Sequence, residues 1–203
     1  MAHATDFDCV AALEVVDVPS GLCALDALVK QAEVSVVFAG DIDPGRYLIV
    51  FGGDLGSCEA ALHCGIEVAG RDVVATLLLP QAHPRLRMAL HGDLADLDPE
   101  LGMALGIVQC HTPTTTLASL DRALKSAETV VVRLRFASEL AGQGHWVVAG
   151  EQHDIEAALQ AAQADAPAGV VVRTRLIARP APETYAAAAQ RSAGDRSLRP
   201  LDP

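Results

Sequence analysis

Two aspartates and an arginine lie together in a short polar segment between two apolar runs. The segment is DIDPGR (41–46), and the runs that flank it are VSVVFAG (34–40) and YLIVFGGD (47–54). Pro followed by Gly favours a type II turn, because proline presets φ and glycine accepts a positive φ. The sequence therefore predicts two strands joined by a tight turn that carries Asp41, Asp43 and Arg46.

These charges could act on small ions, and two interpretations fit them. In an isolated hairpin, Asp41 and Asp43 are most simply the solvated residues of a turn. If several copies of the loop meet at one axis, the carboxylates form an acidic ring that attracts cations and repels anions. Arg46 could instead neutralise Asp43, and the sequence leaves this choice open.

The other reactive residue types do not form a recognisable catalytic or metal site. The five cysteines form no CxxC pair, and the seven histidines include no HExxH motif. No serine has the context of a nucleophile elbow, and Gly52-Gly53-Asp54 is neither a P-loop nor a dinucleotide fingerprint. We therefore expect a protein that is not an enzyme and has no cofactor.

Composition narrows the possible partners. The chain has 203 residues, of which 51% are hydrophobic and only 3% aromatic, and its formal net charge is −11. Such an acidic surface disfavours binding to nucleic acid or to an anionic membrane. No apolar run approaches the length of a membrane span, and the N-terminus lacks the pattern of a signal peptide. We expect a soluble, cytoplasmic protein.

The sequence contains an internal repeat of about a hundred residues. LDALVKQAE (25–33) aligns with LDRALKSAE (120–128), with five of nine positions identical. Further on, Gly53 and the run EAAL (59–62) match Gly150 and EAAL (156–159), with two more residues in the intervening loop. Because the alignment keeps its order and shifts only inside a loop, it indicates a tandem duplication.

Apolar runs and turn residues predict the same element order in both repeats. In the first repeat we expect strands at 10–16, 34–40, 47–54 and 73–79, and helices at 22–32, 55–69 and 83–90. In the second we expect strands at 103–109, 129–136, 145–151 and 170–178, and helices at 116–127 and 154–164. Each repeat is thus a ferredoxin-like α+β domain of the type β-α-β-β-α-β, with helices covering one face of a mostly antiparallel sheet.

These elements divide the chain into two domains. We expect an N-terminal tail (1–9), a first domain (10–91), an acidic linker (92–103), a second domain (104–182), and a tail (183–203) with a short helix and a disordered end. Domains of under a hundred residues are marginal alone. They should therefore pack side by side and oligomerise.

Several of these motifs resemble bacterial microcompartment shell proteins. The motifs are LDALVKQAEV, PGRYLIVFGGDLGSCEAAL and LIARP, and with the duplication they resemble the tandem-domain shell subunits in unpermuted order. The resemblance implies that three chains form a pseudohexagonal tile, which meets other shell proteins edge to edge and passes metabolites through a central pore. It also implies tile-edge residues at Lys30, Lys125 and Arg179.

In this family the loop between the second and third strands lines the pore. The resemblance therefore implies two sets of pore-lining residues: Asp41, Ile42, Asp43, Pro44, Gly45 and Arg46 in the first repeat, and Ser138, Glu139, Leu140, Ala141, Gly142 and Gln143 in the second. Some tandem members hold an iron–sulfur cluster on a cysteine of the first loop. Here the aligned residue is Asp43 and neither loop contains cysteine, so we expect no cluster.

A second interpretation belongs to another functional class. Duplicated ferredoxin-like domains could form a regulator that binds a small metabolite between the repeats. A third, weaker option is an enzyme whose site forms only across subunits. Edge-to-edge sheet formation would favour the shell protein, whereas stabilisation by a ligand without sheets would favour the regulator.

Overall fold

The computed structural model describes residues 7–96, 102–136, 140–164 and 172–190. Its strands are β1 (Cys9–Val15), β2 (Ser35–Ile42), β3 (Arg46–Gly53), β4 (Val73–Leu79), β5 (Ala104–Cys110), β6 (Val130–Arg135), β7 (Gly144–Gly150) and β8 (Val172–Ile177). Its helices are α1 (Val18–Gln31), α2 (Leu55–Ala69), α3 (Pro84–Leu90), α4 (Pro113–Ser126), α5 (Gln152–Gln163) and α6 (Pro182–Ala189). This order confirms the predicted β-α-β-β-α-β pattern in both repeats. Most of the predicted N-terminal tail and the end of the C-terminal tail lie outside the described residues.

Each repeat forms one four-stranded antiparallel sheet. The strand orders are β2-β3-β1-β4 and β6-β7-β5-β8, so corresponding strands occupy corresponding places. Even the irregularities coincide, because the β2–β3 register shifts between Val36 and Phe38 and the β6–β7 register shifts between Val131 and Arg133. The duplication thus extends to the detail of the hydrogen-bond ladder.

The alternation of side chains along β1 assigns each face of the first sheet to a different core. Leu13 and Val15 belong to a cluster that includes Ala24 and Leu28 of α1, on the helix-covered face. Val10 and Ala12 point to the opposite face and join a cluster that extends into the second domain. The first sheet is therefore buried on both sides.

Two helices begin earlier than the sequence predicted. α1 starts at Val18 rather than at residue 22, because Asp17 caps it by accepting a hydrogen bond from the Ser20 N–H at 2.8 Å. α4 starts at Pro113 rather than at residue 116, with Thr112 accepting from the Thr115 N–H at 3.1 Å. From the sequence, these proline-containing segments are interpreted as turns, but proline is favoured in the first turn of a helix.

The boundaries of α2 agree with the prediction. Asp54 caps its start and accepts a hydrogen bond from the Ser57 N–H at 3.0 Å. Gly70 follows its end with a φ of 55°, the left-handed region that favours glycine.

The two domains are joined by an apolar interface between α3 and α4. Leu86 and Leu90 of α3 and Leu117 and Leu120 of α4 are all completely buried in the shared cluster. The backbone N–H of His83 donates to the Asp121 carboxylate at 2.7 Å across this interface. Within the described part of the chain, no helix is long and apolar enough to cross a membrane.

Residues just before β1 and β5 anchor the short helices α3 and α6. Arg87 of α3 donates to the carbonyl oxygen of Phe7 at 2.6 Å, and the hydroxyl of Tyr185 in α6 donates to the carbonyl oxygen of Met103. Phe7 is itself buried over Gly52, where a Cβ would approach the phenyl ring to 2.3 Å. The predicted loose tail is therefore packed at Phe7, and Cys9 already belongs to β1.

The repeats exchange a large and a small residue at one contact between helix and strand. In the first repeat the ring of Tyr47 lies over Gly21, where a Cβ would come within 2.4 Å of it. In the second repeat Thr116 is the equivalent of Gly21, and Gly144 is the equivalent of Tyr47. The hydroxyl of Thr116 lies 2.3 Å from a Cβ built on Gly144. The same gap is thus filled from opposite sides.

Candidate functional site

The first predicted loop is a tight turn between β2 and β3, but it is not of type II. The Gly45 N–H donates to the carbonyl oxygen of Ile42 at 3.0 Å, and the peptide bond between Asp43 and Pro44 is cis. Asp43 and Pro44 are therefore the central residues of the turn, whereas a type II turn would place Pro44 and Gly45 there. Gly45 still has a positive φ of 82°.

Only some side chains of the first loop can face solvent. Asp41, Pro44 and Gly45 are exposed and Asp43 is half-buried, whereas Ile42 is 3% exposed and belongs to the core shared by the domains. Ile42 therefore anchors the loop, and Asp41 and Asp43 supply its accessible charge.

The second predicted loop is described from Leu140 onwards, and Ser138 and Glu139 lie outside the described residues. The Gln143 N–H donates to the carbonyl oxygen of Leu140 at 3.0 Å. The two central residues, Ala141 and Gly142, have positive φ values of 51° and 77°. Positive φ at both central residues is the pattern of a type I′ turn, which here ends the longer connection between β6 and β7.

The two loops touch one another. A Cβ built on Gly142 would lie 2.7 Å from the carbonyl oxygen of Asp43 and 3.3 Å from Cδ of Pro44. The structure thus brings together two predicted loops that are about a hundred residues apart in sequence. The contact requires glycine at position 142 both for its backbone angle and for its missing side chain.

Arg46 pairs with Glu14 of β1, a residue that sequence reasoning did not select. The guanidinium Nη1 donates to Oε1 of Glu14 at 2.7 Å, and the Glu14 side chain is completely buried. Burial raises the pKa of the Glu14 carboxyl, although the neighbouring Arg46 opposes this. Among the residues that the structure describes, Oε2 of Glu14 has no hydrogen-bond partner. The structure therefore pairs Arg46 with Glu14, and no ion pair joins Arg46 to Asp43 among the described residues.

The second repeat carries an uncharged pair at the same place. Gln109 of β5 corresponds to Glu14, and its amide donates to the side-chain oxygen of Gln143, which corresponds to Arg46. An ion pair below one loop is therefore matched by an amide pair below the other. The only sequence signal was a polar residue inside an otherwise apolar strand, at position 14 and again at position 109.

Two of the three predicted edge residues are lysines with matching contacts. Lys30 contacts Asp26 and Lys125 contacts Asp121, each at 2.6 Å and each one helical turn apart. Lys30 is exposed on α1, whereas Lys125 lies where the two domains meet, and its partner Asp121 is buried. Arg179 is exposed after β8.

An open cleft of about 620 Å³ lies between the domains. Lys125 lines it from the second domain, and the first domain contributes Asp8, Asp54 and Gln81 among others. The cleft has acidic and basic groups but is shallow, so it offers no enclosed apolar surface to a ligand.

Three of the five cysteines, Cys9, Cys58 and Cys110, are buried, whereas Cys64 is half-buried and Cys23 is exposed. Cys9 and Cys58 are buried next to one another, and Cys58 donates weakly to the Cys9 carbonyl oxygen at 3.9 Å. Burial raises the pKa of both thiols, so neither is poised to react. In residues 7–96, 102–136, 140–164 and 172–190, no group of three or more His, Cys, Asp or Glu side chains is arranged to hold a metal ion.

Comparison with known proteins identifies both repeats. The BMC domain family matches residues 10–82 and 104–180. The bacterial microcompartment shell protein PduT of Citrobacter freundii is 32% identical over 169 residues, which cover 83% of this chain and 90% of PduT. The carboxysome shell protein CcmK2 of Synechocystis is 31% identical over 85 residues, 40% of this chain and 82% of CcmK2.

Solved structures agree on the fold. A microcompartment protein from Desulfitobacterium hafniense superimposes with a TM-score of 0.77 and 24% identity, covering 86% of this chain and 96% of that protein. A fused permuted hexameric shell protein from the RMM microcompartment gives a TM-score of 0.57 and 19% identity, covering 76% of this chain and 82% of that protein. Both repeats of this chain thus share one domain type with known shell proteins, and the chain belongs to the BMC-domain family of structural proteins of bacterial microcompartment shells.

Proposed function

We propose that three copies of this chain close into a six-domain ring that serves as a tile of a bacterial microcompartment shell in the cytoplasm. The two loops surround a central pore for small metabolites, and the outer edges, with Lys30, Lys125 and Arg179, meet neighbouring shell proteins. The chain acts by assembly rather than by catalysis. One observation carries the proposal, namely the unequal burial of the equivalent helices α1 and α4.

α4 is covered by the first domain of its own chain, but no described residue of the other domain covers α1 in this way. Leu117 of α4 is completely buried, whereas the equivalent Leu22 of α1 is 52% exposed. Likewise Leu124 is 3% exposed and the equivalent Val29 is 43% exposed. An apolar helix face of this kind is normally buried in an interface. The partner that fits it is the second domain of another copy, because α4 shows what the same face of this fold packs against.

The contact between the domains is heterologous, which favours a ring. The first domain contributes α3 and β4, while the second contributes α4 and β6, so different surfaces meet. Repeating the same contact from chain to chain places α6 of one chain against α1 of the next. Heterologous contacts form closed rings when the rotation per step completes a full turn.

Burial below the loops supports the same arrangement. Glu14 is completely buried because the second domain covers its face of the first sheet, whereas the equivalent Gln109 is exposed. The next chain of the ring would cover Gln109 in the same manner. The exposed face of α1 and the exposed Gln109 are therefore the two sides of one kind of junction, which the single chain lacks.

The pore assignment is supported by the contact of Gly142 with Asp43 and by the ion pair of Arg46. In the ring, three copies of each loop would alternate around the axis. Arg46 is engaged by Glu14, so Asp41 and Asp43 would give the passage a negative potential, which favours cations over anions.

Native mass spectrometry of the full chain tests the ring. We expect a species of about 64 kDa, three times the 21.2 kDa chain, and plates or sheets by negative-stain microscopy at high concentration. Leu22→Arg should give a folded monomer. Val68→Arg on α2, where Val68 is 50% exposed, is the matched control and should remain trimeric.

The cleft between the domains supports a second candidate, the metabolite-binding regulator. It predicts a monomer or dimer that never tiles and that is stabilised by a bound small molecule. A wild-type protein that stays monomeric, or a Leu22→Arg variant that still trimerises, would refute the ring and direct attention to this cleft.

A further inference from the structure

We propose that the junctions between chains in the ring are electrostatically different from the junction within the chain. Inside the chain the junction contains the ion pair of Arg85 with Glu128. Between chains the equivalent residues are Glu183 and Glu33, two like charges. This inference rests on the proposed ring and adds that closure of the ring is opposed by charge.

Within the chain, Arg85 connects the two domains at the start of α3. Its guanidinium donates both to the carboxylate of Glu128 and to the backbone carbonyl oxygen of Thr129, two residues that lie just before β6. The Arg85 side chain is 33% exposed, so the ion pair is partly screened by solvent. It adds electrostatic attraction to the apolar contact between α3 and α4.

The repeat identifies the residues that take these places between chains. α3 begins Pro84-Arg85 and α6 begins Pro182-Glu183, so Glu183 occupies the position of Arg85. Glu33 corresponds to Glu128 in the aligned segments 25–33 and 120–128.

The two short helices are held in the same way within their domains. Arg87 donates to the carbonyl oxygen of Phe7, and Tyr185 donates to that of Met103, so both helices are tied to the residues just before the first strand of their domain. Glu183 and Arg85 therefore each begin a helix that is tied to the start of its own domain, while α6 packs on β6 of its own domain and α3 packs on β6 and α4 of the other. Both Glu33 and Glu183 are exposed in the single chain.

The remaining charges of the junction compensate for this exchange only in part, because Gln81, which lies beside Lys125 within the chain, corresponds to Arg179, which adds one positive charge between chains. Within the chain, Asp121 and Lys125 lie beside the Arg85–Glu128 pair and contact one another. Their equivalents on α1 are Asp26 and Lys30, which also contact one another. The junction within the chain is therefore balanced, whereas the junction between chains has an excess of negative charge.

Charge-reversal variants of the full chain test this inference. Glu183→Arg and Glu33→Arg each convert a repulsive pair into an attractive one, and each should lower the trimer dissociation constant per junction about fivefold. The double variant Glu183→Arg with Glu33→Arg places two arginines together and should return towards the wild-type value. Dissociation is measured by native mass spectrometry during dilution. Wild-type trimers should also become tighter as salt is added, since salt screens the repulsion.

A control variant acts at the junction within the chain. Arg85→Glu creates the same like-charged pair inside one chain, so it should lower the free energy of unfolding rather than promote dissociation. If the single variants leave dissociation unchanged, or if the double variant is tighter than either, the inference is wrong while the ring stands. If wild type and both single variants are monomeric at every concentration, the ring itself is refuted.

Discussion

Gly142 lies directly against the backbone of Asp43, with 2.7 Å between the carbonyl oxygen of Asp43 and a Cβ built on Gly142. One residue belongs to the second repeat and the other to the first. The contact holds the acidic turn of one loop in a fixed position relative to the other. A change at Gly142 should therefore act on both loops.

Gly142→Ala should destabilise the chain by about 3 kcal/mol. The added methyl group would meet the carbonyl oxygen of Asp43, and alanine would also have to adopt a φ of 77°. Gly92→Ala is the matched control, because Gly92 has a φ of 81° but open space around its Cα. That variant should lose only about 1 kcal/mol. Equal losses in denaturant unfolding would show that the contact between the loops contributes nothing.

Asp43→Lys should change which ions pass through assembled shells without changing assembly. The substitution replaces a carboxylate that Arg46 does not contact, and the new lysine offsets the charge of Asp41, so the potential of the pore should become much less negative. Small anionic reporters should then enter several-fold faster and cationic reporters more slowly. Glu59→Lys, the same charge change on the exposed surface of α2, should have no such effect. A loss of the trimer in Asp43→Lys would contradict the assignment of this residue to passage alone.

Glu14 should make the chain less stable as the pH rises. Because burial holds the pKa of its carboxyl above the ordinary value of 4.5, its contribution to stability is complete below that pH. The contribution is lost as the pH rises through the pKa of the folded state. Glu14→Gln should remove this loss, so the variant should gain stability relative to wild type between pH 4.5 and neutral pH. Denaturant unfolding at several pH values measures the difference.

Gln109→Glu provides the comparison for this pH dependence. It places a carboxylate at the equivalent but exposed position of β5, where desolvation is small in the single chain. When Gln109→Glu is introduced into a monomeric background such as Leu22→Arg, it should therefore add little pH dependence to the free energy of unfolding. If Glu14→Gln follows wild type at every pH, burial of Glu14 does not control its protonation.

The exchange of Tyr47 with Gly21 should behave as a coupled pair. Gly21→Thr alone should overpack the contact with Tyr47 and cost about 1–3 kcal/mol, whereas Tyr47→Gly alone should leave a cavity. The double variant reproduces the Thr116 and Gly144 pair of the second repeat and should lose less stability than the sum of the two. Additive losses in a double-mutant cycle would show that the two positions are independent.

Element order was predictable because it depends on local patterns. Continuous apolar runs indicate the strands, and the helical spacing of Leu25 and Leu28 indicates α1. The starts of α1 and α4 were not found, because Asp17 and Thr112 precede a proline that was interpreted as part of a turn. A capping side chain before such a proline would have indicated the helix start.

The chemistry of the loops was only partly predictable. Asp41 and Asp43 could be selected from the sequence because they stand in a short polar segment between strands, and their assignment to the pore stays a prediction. Glu14 was missed, since its partner Arg46 is 32 residues away and only the sheet brings them together. Asp121 was missed for a similar reason, because its burial depends on the other domain.

The covalent link between the domains determines how strongly assembly depends on concentration. Half of the junctions in a six-domain ring, those that contain Arg85 and Glu128, form when each chain folds, and their formation is first order. Only the junctions between chains depend on encounters in solution. At equilibrium the concentration of a three-chain ring is therefore proportional to the third power of the free chain concentration. A ring of six separate domains would depend on the sixth power of the free domain concentration. Dilution that would dissolve a ring of single domains should therefore affect the proposed three-chain ring far less. The link also enforces strict alternation, so that every charged pair below one loop is followed by an amide pair below the next.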